Sequence, residues 1–300
     1  MTNRPRRCTL AVPGSSQKMI AKAAGLSVDQ IFFDLEDAVA PDAKASARQQ
    51  VIKALNEQSF LAHTLSLRIN DVTTAWCHDD IIDVVTQAHE QLDTIILTKV
   101  TGVSDVRFVD LLLDQLEQKL GLSKRIGIEC LIEEVHGLMQ VEAIAGCSNR
   151  IETLIFGVGD YAASQQMQLQ SVGSTDGYPG DLWHYPRFKI TMACRAHGIE
   201  PLDGPYADFR DQDNLTLEAQ RAQLLGMGGK WAIHPDQVNA IQQVFTPSSE
   251  RIAQARKQKA AYQAAQREGL GAINVDGVMV DAASIRIIQS LLDRADILGL

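Results

Sequence analysis

The stretch Thr94–Glu133, TIILTKVTGVSDVRFVDLLLDQLEQKLGLSKRIGIECLIE, contains one complete strand–helix–strand unit. Thr94–Leu97 and Arg125–Ile132 are short apolar runs, which are typical of strands buried on both faces. The segment between them, Val103–Leu120, has its apolar residues at helical spacing. These residues are Val106, Val109, Leu112, Leu113 and Leu116. Two buried strands joined by a helix predict parallel strand pairing.

The same unit recurs along most of the chain. Six further apolar runs alternate with helical patterns such as Lys18–Ala24 and Lys44–Leu55. The six runs are Cys8–Val12, Gln30–Phe33, Thr64–Ile69, Thr153–Phe156, Gly198–Leu202 and Lys230–Ile233. Eight such strands in roughly 235 residues predict an α/β fold, the closed (β/α)8 TIM barrel. The alternative is a doubly wound open sheet, but the turn Val12–Ser16 lacks the G-x-G-x-x-G spacing typical of it.

The pattern changes after the eighth run, which predicts two parts. Residues 1–245 are expected to form the barrel, and residues 246–300 a C-terminal helical extension that acts as an arm or lid. A helix is predicted from a cap at Ser249 to about Arg267, and a last helix from Ala282 to about Ile297. A glycine-bearing stretch separates these two helices.

Composition excludes several classes of protein. A net charge of −9 argues against nucleic acid as a partner of the whole surface. No apolar run of 18 residues exists, so no membrane span is predicted, and the basic N-terminus is too short for a signal peptide. Five widely spaced cysteines predict free thiols in a reducing compartment, and hence a cytoplasmic protein. They are Cys8, Cys77, Cys130, Cys147 and Cys194.

Polar residues follow seven of the eight predicted strands. The carboxyl ends of the strands of a (β/α)8 barrel meet at one mouth, so these residues should lie together. They include Asp34, Glu36, Asp37, Arg68, Lys99, Glu133, Glu134, Asp160, Asp203 and His234. Oxygen ligands without cysteine or clustered histidine favour Mg²⁺ or Mn²⁺, and Glu133 and Asp160 supply the one or two carboxylates that Mg²⁺ usually takes. The alternative for any one acid is that it caps a helix or pairs with a lysine.

Seven segments, in order, resemble the citrate lyase β-chain-like superfamily, and within it the malyl-CoA/β-methylmalyl-CoA lyases. The resemblance runs from about residue 6 to residue 298. The segments are Arg7–Ser15, Asp34–Pro41 with Lys44 and Arg48, Leu67–Asn70, Ile132–Gly137, Phe156–Ser164, Pro201–Phe209 and Gly229–Gln237.

The resemblance implies site residues as well as a fold. It implies a (β/α)8 barrel with a C-terminal extension, assembled as a homotrimer or homohexamer, that binds Mg²⁺ or Mn²⁺ and acts on CoA thioesters. Glu133 and Asp160 would hold the metal, Arg68 would bind substrate, and Asp281 would be a catalytic residue on an arm that packs on a neighbouring subunit. CoA or substrate contacts are implied near Lys22, Gly159, Ile233 and His234.

The implied activity is a C–C lyase reaction. Malyl-CoA or β-methylmalyl-CoA would yield glyoxylate, a 2-oxo acid, with acetyl-CoA or propionyl-CoA. We expect Asp34, Glu36 and Asp37 to orient Lys99, metal-bound water or Arg68. Three alternatives stay open: a citramalyl-CoA lyase that releases pyruvate, a malyl-CoA thioesterase, and a non-catalytic subunit of a citrate-lyase-like complex.

The chain also departs from the pattern of its relatives. Many relatives carry an aromatic residue where Ala11 stands and a basic residue near Ser16, so the CoA-binding wall is expected to differ. Glu134 stands where relatives usually have threonine, beside the expected metal ligand. The loop Gln165–Trp183 is shorter than in the relatives, which bears on acyl specificity.

Overall fold

Eight parallel strands pair in sequence order, and the eighth pairs with the first, so the sheet closes into a barrel. The computed structural model describes residues 4–169, 178 and 180–300. The strands are β1 (Cys8–Pro13), β2 (Gln30–Asp34), β3 (Thr64–Arg68), β4 (Thr94–Leu97), β5 (Gly127–Ile132), β6 (Ile151–Phe156), β7 (Glu200–Asp203) and β8 (Gly229–Ala232). The predicted (β/α)8 barrel is confirmed, and the alternative of an open sheet is wrong.

Helices surround the barrel and continue into the arm. Those of the barrel are α1 (Gln17–Ala24), α2 (Lys44–Glu57), α3 (Cys77–Ala88), α4 (Val103–Leu120), α5 (Val135–Met139), α6 (Val141–Ala145), α7 (Val158–Ser164), α8 (His184–His197), α9 (Gln212–Leu224) and α10 (Val238–Phe245). The arm contains α11 (Ser249–Arg267), an antiparallel hairpin of β9 (Ala272–Val275) and β10 (Val278–Asp281), and α12 (Ala282–Ile297). Among the described residues, no helix combines the length and the hydropathy that a membrane span requires.

Several strand ends differ from the sequence-based expectation by one or two residues, and three differences are informative. Strand β7 starts at Glu200 rather than at Gly198, because Gly198 has φ 68° and caps the end of α8. Helix α11 is capped by Ser248 rather than Ser249, since the Arg251 N–H donates to the Ser248 hydroxyl at 3.3 Å. The hairpin was missed, although its turn Asp276–Gly277 has the Asp-Gly pattern and the two positive φ angles of a tight hairpin.

The side chains inside the barrel form three layers, and successive layers contain residues two positions apart along a strand. At the amino end, Arg6 donates to the buried carboxylate of Glu129 at 2.6 Å, and Gln30 donates to the same oxygen at 2.7 Å. The middle layer is apolar and comprises Phe32, Ile96, Leu131, Ile155, Leu202 and Trp231. Residues two positions further along these strands, such as Asp34 and Glu133, form the third layer at the mouth. The apolar layer therefore supports the polar groups from below.

The end of the arm lies at the face of the barrel opposite the mouth. Arg294 of α12 donates to Glu200, the first residue of β7, at 3.2 Å and to the Met227 carbonyl at 3.4 Å. Ile297 and Leu298 line a cavity of about 710 Å³ together with residues that precede or start β1, β5, β6 and β7. Within its own chain, the arm is thus anchored at the amino end of the barrel.

A buried group of charges joins β7 and β8 to the surrounding helices. Asp203 is 1% exposed, and it accepts two hydrogen bonds from Arg187 at 2.8 and 3.0 Å and one from Lys230 at 2.6 Å. Lys230 also donates to Glu218 at 2.6 Å. Burial alone would raise the pKa of Asp203, but Arg187 and Lys230 lower it below the ordinary value.

We expect Asp203→Asn to lower the free energy of unfolding by about 3 kcal/mol at neutral pH, because it leaves two buried cations with one fewer carboxylate. The contribution of this charge is complete above the ordinary pKa of 3.8 and disappears as the pH falls through the lower folded value. Urea unfolding of the wild type and variant at several pH values measures this. Asp42→Asn, at an exposed position, is the control. Equal stability of the two variants at neutral pH would contradict the prediction.

Candidate metal and substrate site at the barrel mouth

Two carboxylates lie side by side at the mouth. Glu133 directly follows β5 and is 2% exposed, whereas Asp160 lies in the first turn of α7, after β6, with a side chain that is 41% exposed. Burial and the neighbouring charge of Asp160 raise the pKa of Glu133 well above its ordinary value. One carboxylate is therefore held inside the barrel wall, and the other faces the solvent.

The environment of Glu133 favours a cation. The backbone N–H of Lys99 donates to Glu133 Oε1 at 2.8 Å. Among the residues that the structure describes, this is the single hydrogen bond that the Glu133 carboxylate accepts. A buried carboxylate is costly to ionise unless positive charge approaches it. No described group of three or more His, Cys, Asp or Glu side chains is arranged to hold a metal. The protein thus offers two carboxylates, which suits Mg²⁺ with its other positions taken by water and substrate.

Arg68, the last residue of β3, is fixed at the mouth by two acids. Its Nε and Nη2 donate to the two oxygens of Asp34 at 2.8 and 2.6 Å, and Nη1 lies 3.2 Å from Glu36. Burial alone would lower the pKa of Arg68, but Asp34 and Glu36 raise it above the ordinary value. A bidentate pair of this kind sets the direction of the guanidinium plane, so Nη1 is the nitrogen outside the pair.

Lys99 connects acids that follow two different strands, β2 and β6. Its side chain donates to Glu36, and its ammonium lies 3.9 Å from Asp160 and 3.8 Å from Asp37. The residue has φ 50°, which is uncommon for a residue with a side chain. This backbone conformation accompanies the hydrogen bond from its N–H to Glu133. Across the mouth, two cations lie among five carboxylates, so acids outnumber bases in the cluster. The cations are Arg68 and Lys99, and the acids are Asp34, Glu36, Asp37, Glu133 and Asp160.

Two aromatic side chains, Phe32 and Trp231, pack against the Arg68 guanidinium, and the sequence analysis did not predict them. We call this pair of rings the floor of the site. The Arg68 guanidinium carbon lies 5.6 Å from the ring centre of Phe32 and 6.0 Å from that of Trp231. The two rings contact each other at 4.4 Å between centres. Phe32 precedes Asp34 by two residues in β2, so the alternation of that strand could have indicated one of them. Trp231 could not be found in this way, because its contact with Phe32 depends on closure of the barrel.

The remaining predicted residues occupy different positions. Lys22 is exposed in the last turn of α1, and Gly159 lies in the first turn of α7 beside Asp160. The N–H groups of Ile233 and His234 both donate to Gln237 Oε1, at 2.9 and 3.2 Å. A backbone contact from either of these two residues to substrate would therefore involve a carbonyl or displacement of Gln237.

Asp281 is not part of the mouth in the isolated chain. It ends β10, and its carboxylate accepts bonds from the backbone N–H and hydroxyl of Ser284 at 2.8 and 2.9 Å. These hydrogen bonds lower its pKa. None of the described hydrogen bonds or ion pairs joins it to Glu133, Asp160 or Arg68. The structure thus brings together seven predicted residues, Asp34, Glu36, Asp37, Arg68, Lys99, Glu133 and Asp160, and leaves Asp281 apart. The expectation that Asp203 joins them is wrong, because its carboxylate pairs with Arg187 and Lys230.

Comparison with known proteins decides the family. The family model described as HpcH/HpaI aldolase/citrate lyase matches residues 7–235, which is most of the chain. The chain belongs to this family. It is 40% identical to the L-malyl-CoA/beta-methylmalyl-CoA lyase of Cereibacter sphaeroides (strain ATCC 17025 / ATH 2.4.3) over 306 residues, covering 99% of this chain and 96% of that protein. The resemblance described from the sequence is therefore confirmed.

Two solved structures of similar proteins agree with the fold. A citrate lyase from Burkholderia xenovorans LB400 has a TM-score of 0.86 and 26% identity, over 97% of this chain and 92% of that one. The CitE protein of Mycobacterium tuberculosis, solved with magnesium, acetoacetate and coenzyme A, has a TM-score of 0.74 and 25% identity, over 96% of this chain and 97% of that one. The likeness to these solved structures thus covers the barrel and most of the C-terminal arm, whereas the family model covers the barrel.

The close approach of Gly157 to Glu133 provides a test of the site in this family member. A Cβ at Gly157 would lie 2.5 Å from Glu133 Cβ and 2.6 Å from Oε2, distances that force the side chains apart. We expect Gly157→Ala to lower the free energy of unfolding by about 1–3 kcal/mol, as overpacking does. Gly25→Ala is the matched control, because a Cβ there meets nothing within 4 Å. Urea unfolding that shows both variants as stable as the wild type would contradict the packing described here.

Proposed function

We propose that this protein is a Mg²⁺-dependent C–C lyase that cleaves (3S)-malyl-CoA, β-methylmalyl-CoA, or both. The products would be glyoxylate with acetyl-CoA or propionyl-CoA, and the reverse reaction would be a Claisen-type condensation. The observation that carries the proposal is the buried Glu133 beside Asp160 and close to Arg68, in a chain 40% identical to a lyase of that name. An oxygen-rich pair next to a fixed guanidinium suits a substrate that carries a carboxylate and a hydroxyl group.

Glu133 and Asp160 would hold the metal. The burial of one carboxylate, its raised pKa and the excess of negative charge at the mouth all fit a divalent cation, Mg²⁺ or Mn²⁺. When bound, the metal would act as a Lewis acid and as a template for the hydroxyl and carboxylate of the substrate. Lys99 supports this arrangement from the protein side, since its backbone N–H orients Glu133.

Arg68 would bind the developing oxyanion. In cleavage, the substrate hydroxyl loses its proton to water and its oxygen forms the carbonyl of the 2-oxo acid. The bond between that carbon and the carbon next to the thioester breaks, and its electron pair passes to the thioester enolate. Asp34 holds Nε and Nη2 of Arg68 and fixes the guanidinium plane, so Nη1 would bind substrate by sharing or exchanging its ion pair with Glu36. Donors fixed before the reaction stabilise developing charge because they need no reorganisation.

In the cleavage direction, Asp281 would first take a proton from water and then give it to the enolate carbon. In the condensation direction, it would remove that proton, in a site shared between chains. Its lowered pKa leaves it ionised at neutral pH, which suits a base that removes the proton in the condensation direction. The arm of its own chain is anchored at the opposite face of the barrel, so we propose that a neighbouring subunit supplies Asp281 in a homotrimer or homohexamer. Lys22, Gly159, Ile233 and His234 would contact the CoA thioester or the 2-oxo acid.

Identification of the products tests the proposed reaction. We expect the purified protein with Mg²⁺ and malyl-CoA to release glyoxylate, trapped as its phenylhydrazone, and acetyl-CoA in equal amounts. A panel with β-methylmalyl-CoA and citramalyl-CoA defines the acyl group, because citramalyl-CoA would yield pyruvate. Malate and free CoA without glyoxylate would identify a thioesterase and overturn the lyase proposal. No turnover of any member of the panel would favour a non-catalytic subunit.

The metal ligands are tested by substitutions that preserve shape. We expect Glu133→Gln and Asp160→Asn each to lower metal-dependent cleavage by about 10²-fold or more, because each removes one anionic ligand. Circular dichroism should show an unchanged fold. Asp42→Asn, an exposed acid remote in sequence from both ligands, controls for a general effect of charge. If both ligand variants cleaved malyl-CoA at the wild-type rate in the presence of EDTA, the metal assignment would be wrong.

Mixed oligomers test the shared site. Asp281→Asn and Arg68→Ala should each be nearly inactive alone, with Arg68→Ala slower by about 10²–10³-fold. Coexpression of the two variants should restore part of the activity, since some sites would combine an intact arm with an intact mouth. Native mass spectrometry shows whether mixed oligomers have formed. Mixed oligomers without activity would place Asp281 outside the site of the neighbouring chain.

A further inference from the structure

A hydrogen-bonded pair behind the metal ligands joins the two segments that carry them. The Ser164 hydroxyl donates to Glu134 Oε2 at 2.6 Å and accepts a hydrogen bond from the Val135 N–H at 3.0 Å. Glu134 follows Glu133 directly, and Ser164 is the last residue of α7. One hydroxyl therefore binds both the side chain of Glu134 and the backbone that follows it. We call this group the Glu134–Ser164 clamp.

The clamp lies where the barrel no longer controls the geometry. The pairing of β5 with β6 ends at Ile132 and Phe156, and the Gly157 N–H still donates to the Ile132 carbonyl at 3.1 Å. Beyond that point, the chain after β5 enters α5 and the chain after β6 enters α7. The ladder therefore does not hold the positions of Glu133 and Asp160 relative to each other.

The spacing of the residues connects the clamp to both ligands. Asp160 and Ser164 are four residues apart in α7, so they lie on the same face of that helix. Glu133 and Glu134 are adjacent, so a shift of one moves the backbone of the other. A displacement of α7 relative to the end of β5 would change the distance between the two carboxylates.

We propose that the Glu134–Ser164 clamp positions Asp160 relative to Glu133 and thereby sets the affinity of the site for its divalent cation. This inference rests on the proposed metal site and adds two positioning residues to it. Neither residue would touch the metal. Residues that hold metal ligands in place typically affect metal affinity by about 10–100-fold.

Positioning can be separated from charge with two variants. Ser164→Ala breaks the clamp and retains the Glu134 charge, whereas Glu134→Gln removes the charge and retains a carbonyl oxygen that can accept from Ser164. If the clamp acts by position, Ser164→Ala should weaken Mn²⁺ binding and Glu134→Gln should preserve it. If Glu134 acts only through its charge, the order of the two effects is reversed and the proposal fails.

Mn²⁺ binding can be measured without substrate, from the loss of the EPR signal of free Mn²⁺. We expect Ser164→Ala and Glu134→Ala each to raise the dissociation constant by about tenfold, and Glu134→Gln to change it by less than about threefold. The double variant Glu134→Ala/Ser164→Ala should be no weaker than Ser164→Ala alone, because Ser164→Ala already breaks the contact that Glu134→Ala removes. Glu142→Ala, an exposed acid in the nearby α6, is the matched control and should bind like the wild type.

Thermal unfolding in EDTA verifies that each variant is folded before its affinity is compared. Wild-type affinity in both Ser164→Ala and Glu134→Ala, or losses that add in the double variant, would overturn the clamp while the lyase proposal stands. Failure of the wild-type protein itself to bind Mn²⁺ would overturn both proposals.

Discussion

The site depends on one electrostatic constraint, the burial of the Glu133 carboxylate next to that of Asp160. An ionised carboxylate in the barrel wall is costly, and a second negative charge beside it raises the cost further. A cation relieves both costs at once. The proposed affinity for a divalent ion would arise from bringing two like charges together, and the fold has to hold them there against their repulsion.

The rest of the mouth shows how the protein provides this support. The apolar middle layer of the barrel excludes water below the polar groups, and Phe32 and Trp231 provide a surface under Arg68. Asp34 and Glu36 surround Arg68 and Lys99, so each cation is held by acids that belong to other strands. Such a network is rigid because every member has more than one partner, and rigidity is what a preorganised site requires.

The arm has a different relation to the site. It is stabilised by its own small core between α11 and α12 and by contacts at the amino end of the barrel. Exposed apolar residues, among them Met279 and Ile287, remain on its surface in the isolated chain. The arm has its own core and leaves the mouth of its own barrel open. This fits the proposal that the arm of one subunit supplies Asp281 to the site of its neighbour.

The sequence by itself determined the eight barrel strands, the main helices and the closed barrel, but not the hairpin of the arm. It also determined the polar strand ends, because periodicity and strand termini are local properties. The tertiary structure alone decided the contact of Gly157 with Glu133, the left-handed backbone of Lys99, the floor under Arg68 and the pairing of Glu134 with Ser164. These features join residues that are far apart along the chain. Their distances depend on strand closure and side-chain packing, and no local pattern in a sequence encodes a distance between such residues.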